Sequence, residues 1–184
     1  MKWRNGHVLV LGLALSLIVG WLIYRNFIPD QWLRNFAADI ALRGTPDPNA
    51  PLPTDSRQVT PRGLADHPYI CLRKLVPFSW DRMIVVPSGG DLQRTPGLGG
   101  VVWPDDMPEK YRAEMASDRR YQLIVLLKGD RVVGSDLFYT FWGDLSALAR
   151  PDGFIPETAI FTAVVRNGRY VLTPVEPPFP PVCS

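Results

Sequence analysis

Histidine and cysteine are scarce in this sequence, and their positions exclude several kinds of catalytic site. The chain of 184 residues contains two histidines and two cysteines. His7 lies in an apolar segment and His67 stands beside a proline, so neither is placed as the base of a nucleophile. Neither C-x-x-C nor H-E-x-x-H occurs, although these are common spacings of metal ligands. We therefore predict no cofactor, no metal and no enzymatic activity.

A large excess of positive charge is also missing from the part of the chain beyond residue 25. That part contains all 18 acidic residues and 17 of the 20 basic ones, which is a formal charge of −1. Such a nearly neutral surface attracts the phosphate backbone of a nucleic acid only weakly. We therefore predict that the protein does not bind nucleic acid.

Residues 7–24 contain no Asp, Glu, Lys or Arg, and they are almost wholly apolar. About 20 helical residues are enough to cross the hydrocarbon layer of a bilayer. Lys2 and Arg4 precede the segment and only Arg25 follows it closely, a bias that places the N-terminus in the cytoplasm. This predicts a single-pass protein of a bacterial inner (cytoplasmic) membrane, with the remaining residues in the periplasm.

A cleaved signal peptide is the alternative interpretation of this segment, because it has the same basic start. The apolar region exceeds the roughly 7–15 residues usual in signal peptides. No small-x-small cleavage site follows, since Trp21 to Arg25 are bulky, and no lipid-accepting cysteine is near. We therefore predict that the helix remains as an anchor.

Helical periodicity and proline content divide the chain into four segments. Residues 1–28 are the cytoplasmic tip and the anchor. Residues 29–44 predict an amphipathic helix that begins after Asp30 and ends at Gly44 as a C′ residue. Its apolar face lies on the membrane, packs on the domain or extends the anchor. Residues 45–68 contain six prolines and predict a linker, and residues 69–184 predict the folded domain.

Two β-hairpins are the clearest structural signals in the domain. Asn167-Gly168 separates two strand-like segments, and both residues accept the positive φ that a tight turn requires. Lys128-Gly129-Asp130 separates another such pair. Together with a short helix at residues 108–116, these signals predict a small α+β domain with an antiparallel sheet and one or two short helices.

The two cysteines lie close to the two ends of the predicted domain. Because disulfides persist on the oxidising side of a membrane, we predict a bond between Cys71 and Cys183. Two unpaired thiols are the alternative.

Aromatic and charged residues in two short segments are the candidates for binding a partner. Tryptophan, tyrosine and arginine are favoured at the centres of protein interfaces. The first segment precedes a predicted strand, where a purely structural corner is the other interpretation. The second is an aromatic run that also suits the core. The candidates are Trp80, Asp81, Arg82, Phe138, Tyr139 and Trp142.

The segment from Ile70 to Pro87 resembles a motif of small exported or lipid-anchored bacterial proteins of unknown function. That motif is a leucine, then an aromatic residue, then Trp-Asp and a hydrophobic strand, here Leu75, Phe78, Trp80-Asp81 and residues 83–86. This chain departs from it by lacking the lipid-accepting cysteine. The resemblance implies an exported sheet domain and transfers no catalytic residue. Some envelope proteins of this build are immunity proteins, which implies a toxin inhibitor as one candidate.

The sequence therefore predicts a membrane-tethered, extracytoplasmic module that binds a protein partner in the envelope. It would act as an immunity-type inhibitor of a secreted toxin or as an accessory of an envelope complex. One alternative is an enzyme that acts on cell-wall material with carboxylates alone, drawn from Asp81, Asp105, Asp106 and Asp136. The other alternative is a purely structural envelope protein.

Overall fold

The structure is a computed structural model, and it describes residues 31–46, 67–104 and 107–183. The predicted transmembrane segment at residues 7–24 and most of the predicted linker lie outside these ranges. Within them, no helix is both long enough and apolar enough to span a bilayer.

The described residues form three helices and seven strands, which we number in chain order. They are α1 (helical at 31–43), β1 (Thr45–Pro46), β2 (Tyr69–Cys71), α2 (Leu72–Leu75), β3 (Arg82–Val86), α3 (Met107–Ser117), β4 (Tyr121–Lys128), β5 (Arg131–Tyr139), β6 (Ile160–Arg166) and β7 (Arg169–Pro174).

The predicted α+β class is confirmed, and its strands form two sheets. The first sheet has the antiparallel order β3-β4-β5. The second is centred on β6, which pairs antiparallel with β2 and β7 and parallel with the short β1. Both predicted hairpins are present, and Gly129, Asn167 and Gly168 all have positive φ as their turns require.

Strands β3 and β4 of the first sheet are buried on both faces. Met83 and Val85 of β3 enter a large core against the second sheet, whereas Ile84 and Val86 enter a smaller one beneath α3. A strand covered on both sides needs apolar residues at every position, because neighbouring side chains point to opposite faces. The continuous burial of residues 122–127 in β4 has the same cause.

Helix α1 packs into the larger core. Trp32, Leu33, Phe36 and Ile40 lie at helical spacing, and each is at most 4% exposed. Of the three positions that the sequence left open for this apolar face, packing on the domain is the one found.

The contacts of α1 show that the folded unit begins earlier in the sequence than predicted. The ring of Phe36 lies 5.6 Å from that of Phe138 and 6.3 Å from that of Phe161, so α1 joins both sheets. The start predicted at Tyr69 would leave this helix outside the domain. The folded unit instead includes residues 31–46, because the aromatic face of α1 completes the core.

Gly44 follows α1 but is not the C′ glycine that was predicted. It lacks the positive φ of a C′ glycine. A Cβ built on Gly44 would lie 2.1 Å from Cε1 of Tyr170, so the position requires a residue without a side chain. The next two residues, 45–46, pair with Val164 and Val165 of β6 and therefore belong to the sheet, not to a linker.

The two cysteines lie together beside the second sheet, as the prediction of a disulfide requires. The Cα atoms of Cys71 and Cys183 are 5.4 Å apart, with a sequence separation of 112, and the sulfur atoms are bonded. Ile160 packs against the pair in a small apolar cluster. The bond fastens the end of the chain to β2.

Candidate protein-interaction surface

Four aromatic side chains surround one end of the first sheet, and we call them the aromatic surface. They are Tyr121, Tyr139, Phe141 and Trp142. Tyr121 and Tyr139 are cross-strand partners whose ring centroids lie 5.6 Å apart. The Tyr139 ring lies 6.5 Å from Phe141 and 6.4 Å from Trp142. Phe141 is 60% exposed and Trp142 is 43% exposed, which is unusual for side chains of this size.

Arg120 places a positive charge at the rim of the aromatic surface. Its guanidinium carbon lies 5.2 Å from the centre of the Tyr139 ring. Asp118 holds it from the other side, with an Nη2–Oδ2 distance of 2.7 Å. Hydrogen bonds from the side chain and then from the backbone N–H of Arg120 lower the pKa of Asp118. The carboxylate is therefore ionised at neutral pH and orients the guanidinium over the ring.

Gln122 fixes the turn that presents the two most exposed aromatic residues. Its side chain is fully buried. Its Nε2 donates to the carbonyl of Gly143 at 2.9 Å, and its Oε1 accepts from the N–H of Leu145 at 2.8 Å. At the start of the turn, the N–H of Trp142 donates to the carbonyl of Tyr139 at 2.8 Å. These hydrogen bonds thus hold in place the turn that carries Phe141 and Trp142.

The structure divides the predicted aromatic run between the core and the surface. Phe138 is fully buried, and its ring packs on Phe36. Tyr139 is half-buried and Trp142 is exposed, with the Trp142 ring edge-on to Phe138 at 5.6 Å. Trp142 and Tyr139 therefore remain available to a partner, whereas Phe138 supports them from inside.

The other candidate segment is a structural corner away from the aromatic surface. Trp80 is buried in the larger core, and Arg82 is half-buried opposite Leu127 in β4. Both pack at the end of the first sheet that carries the β4–β5 turn. The aromatic surface is at the opposite end of the same strands.

Asp81 holds the turn between β4 and β5. Its carboxylate accepts hydrogen bonds from Nζ of Lys128 at 2.7 Å and from the N–H of Gly129 at 2.8 Å. These bonds, that of Lys128 first, lower the pKa of Asp81. The hairpin turn thus folds back over this carboxylate.

The carboxylates considered for catalysis fall in three places. Asp81 is engaged by the hairpin, and Asp136 accepts a hydrogen bond from the N–H of Leu137 at 2.8 Å. Asp105 and Asp106 lie outside the described residues. In the ranges that the structure describes, no three or more His, Cys, Asp or Glu residues are grouped as metal ligands.

A small cavity of about 120 Å³ lies near the disulfide, between α1 and β2. Arg43 crosses it, paired with Asp39 at 2.7 Å and donating to the carbonyl of His67 at 3.0 Å. Typical small-molecule sites are larger, at roughly 300–1,000 Å³. The cavity therefore suits a few waters that solvate this ion pair.

Sequence reasoning missed Tyr121, Phe141 and Arg120. Phe141 lies inside the aromatic run, but only Phe138, Tyr139 and Trp142 of that run were predicted to bind a partner. Tyr121 and Arg120 carry no signal of their own, since they join the aromatic surface only through the register of β4 with β5.

Comparisons with protein-family models, with curated proteins and with solved structures found no match. The resemblance of residues 70–87 to small exported bacterial proteins therefore stays a prediction. The function has to be argued from the geometry of the aromatic surface and from the sequence of the anchor.

Proposed function

We propose that this chain is a single-pass membrane protein whose extracytoplasmic domain binds another protein through the aromatic surface. The observation that carries the proposal is the exposure of Phe141 and Trp142 side by side, at 60% and 43%. Contiguous exposed apolar patches on soluble domains commonly mark interaction sites.

The composition of the surface favours a protein partner. Trp142, Tyr139 and Arg120 are of the three residue types most enriched among interface hot spots. Phenol, indole and guanidinium groups also offer hydrogen-bond donors at the edge of an apolar centre. A partner with an apolar side chain ringed by carbonyl or carboxylate oxygens would complement them.

The rigidity of the turn that carries Phe141 and Trp142 favours tight binding. Immobilising a flexible side chain or loop on binding costs about 0.5–1.5 kcal/mol for each side chain ordered. The two bonds made by Gln122 and the packing of Trp142 on Phe138 order this turn before any partner arrives. More of the gain from burying the rings then appears as binding free energy.

Two features support an extracytoplasmic location. The charge bias around residues 7–24 puts everything after the anchor outside the cytoplasm. The bonding position of Cys71 and Cys183 suits an oxidising compartment. In the periplasm the domain would act as an immunity-type inhibitor of a secreted toxin or as an accessory of an envelope complex.

The binding proposal is tested with the full chain in its native membrane. Site-specific crosslinking from the exposed position 147, five residues after Trp142 in the sequence, identifies a partner, which is then purified for direct affinity measurement. The double variant Phe141→Ala, Trp142→Ala should weaken binding by more than about tenfold, the loss expected of hot-spot side chains. Val133→Ala is the matched control, since Val133 is also exposed but lies outside the surface. Equal affinity of the double variant and the control would contradict the proposal.

The immunity role has its own test. If a gene next to this one encodes a secreted toxin, cells that lack this protein should be killed by that toxin, and the full chain should protect them. Protection that persists in the Phe141→Ala, Trp142→Ala variant would separate this role from the aromatic surface.

A further inference from the structure

The chain between the predicted anchor and the folded domain is short. Because α1 is packed in the core, only residues 25–30 separate Tyr24 from Gln31. Fully extended, this stretch reaches at most about 25 Å. The proline-rich residues 47–66 lie between β1 and β2, and both strands pair with β6. That segment therefore adds nothing to the distance between the domain and the membrane.

The direction of α1 identifies the end of the domain that is nearest to the anchor. The carbonyl of Ala41 accepts a hydrogen bond from Tyr170, which is opposite Val165 near the end of β6. One and a half turns earlier, Phe36 contacts Phe161 near the start of β6. Helix α1 therefore runs in the same direction as β6, and its first residue lies towards the start of that strand.

Helix α2 and the turn at residues 155–159 lie at this same end of the domain, which we call the α2 end. Cys71, just before α2, pairs with Ile160 at the start of β6, and the N–H of Leu72 bonds to the carbonyl of Ala159. The turn carries Ile155, which is 49% exposed. Arg73 of α2 is exposed too, 3.8 Å from Glu157.

We infer that the domain stands on the bilayer with its α2 end against the lipid headgroups and its aromatic surface turned away. The inference rests on the membrane anchor of the proposed function. Arg73 and Lys74, with Glu157 beside Arg73, leave a net charge of +1 for anionic headgroups, and Ile155 supplies an apolar side chain for the interface. The short tether keeps this end within reach of the lipid.

The aromatic surface lies beside the C-terminal half of α1. A Cβ built on Gly143 would lie 3.5 Å from Cδ1 of Ile40, and the N–H of Asp144 donates to the carbonyl of Tyr170 at 2.7 Å. The 13 helical residues of α1 span about 18 Å between their first and last Cα atoms. The aromatic surface is thereby raised above the lipid and faces a protein that approaches from the periplasm.

Quenching by spin-labelled lipids tests the orientation. The full chain is labelled with a fluorophore at one of two positions. Glu157→Cys lies at the α2 end, and Arg169→Cys lies in β7 opposite Arg166, the last residue of β6. Each labelled protein is reconstituted in phosphatidylcholine–phosphatidylglycerol vesicles. Quenching by headgroup-labelled lipid should be several-fold stronger for the label at 157. Equal quenching, or stronger quenching at 169, would overturn the orientation.

A pair of insertions tests the tether. A long Gly-Ser insertion after Asn26 should reduce quenching at 157, whereas the same insertion after Ser56 should leave it unchanged. The opposite pattern would show that residues 47–66 set the reach, and would overturn the inference. Flotation of the vesicles checks the anchor separately: a chain that fails to float with them contradicts the proposed function, not the orientation alone.

Discussion

Replacing Phe36 with alanine tests whether α1 is an integral part of the domain. The ring of Phe36 is fully buried and contacts Phe138 of the first sheet and Phe161 of the second. Buried Phe→Ala substitutions typically cost about 3–5 kcal/mol, from lost burial and from the cavity left behind. The whole free energy of unfolding of a domain is about 5–15 kcal/mol. We therefore expect Phe36→Ala to lose a large part of the stability.

Removing the whole helix should have a larger effect. A fragment that begins at Gln31 retains the four buried side chains of α1, whereas a fragment that begins at Ala65 exposes the part of the core that they cover. Each of these side chains contributes about 2–5 kcal/mol, so their sum of roughly 8–20 kcal/mol is comparable to the whole stability of a domain. The longer fragment should unfold cooperatively, and the shorter one should show no cooperative transition.

Urea unfolding followed by near-UV circular dichroism measures both effects, because it reports the packing of aromatic rings. Asn35→Ala is the control on the same helix, since Asn35 is exposed and bonds only locally to Gln31; we expect a change within about 0.5 kcal/mol. A fragment from Ala65 with the same midpoint as the longer one would refute the assignment of α1 to the core.

Three further predictions concern the disulfide, the turn and the hairpin. Replacing Cys71 and Cys183 by serine should lower the free energy of unfolding by about 2–5 kcal/mol, measured in urea without reductant; an unchanged midpoint would show that the bond does not form. Gln122→Leu leaves two buried backbone groups unpaired, at about 1–3 kcal/mol each, so hydrogen exchange at residues 143–145 should accelerate, and unchanged exchange would contradict this role. Because Lys128 lowers the pKa of Asp81 in the folded state, the carboxylate adds stability above its unfolded pKa and loses it as the pH falls through the folded one. Asp81→Asn should therefore destabilise the protein at pH 7, with a difference that begins to shrink below about pH 4 and is lost once the pH is below the folded pKa; a constant difference would contradict the linkage.

Local chemistry explains what could be predicted from the sequence. Asn167-Gly168 and Gly129 specify their turns through the positive φ that those residues tolerate, independently of the rest of the fold. The cysteine pairing needed no geometry, since two cysteines allow one connectivity. The apolar face of α1 was also visible, because helical spacing depends only on nearby residues.

The position of α1 was not predictable in the same way. An apolar helix face next to a predicted membrane segment suits lipid or protein equally, and the choice depends on whether the domain has a gap of the right shape. Here the gap lies between two sheets, beside Phe138 and Phe161. Those residues are about a hundred positions away, and single-sequence patterns do not report contacts at that separation.

A bulge explains why the candidate surface was only partly predicted. Leu127 pairs with Val132 but Leu126 pairs with Gly134, so Val133 is an extra residue in β5. If Val133 instead paired with Leu126 in a regular ladder, Tyr121 would pair with Phe138 and the faces of β5 beyond this point would exchange. Because of the bulge, the side chain of Phe138 points into the core and that of Tyr139 points to the opposite face.

In the proposed membrane-anchored arrangement, the contacts that stabilise the fold also set the height of the domain above the membrane. If α1 left the core, residues 25–68 would become free chain, with an extended reach of about 150 Å. With α1 in place, the reach is about 25 Å. Detachment would expose Trp32, Leu33, Phe36 and Ile40, at a cost comparable to unfolding the domain. If residues 7–24 form the proposed anchor, a folded domain therefore cannot move far from the bilayer, and the proposed partner would meet the aromatic surface close to the membrane.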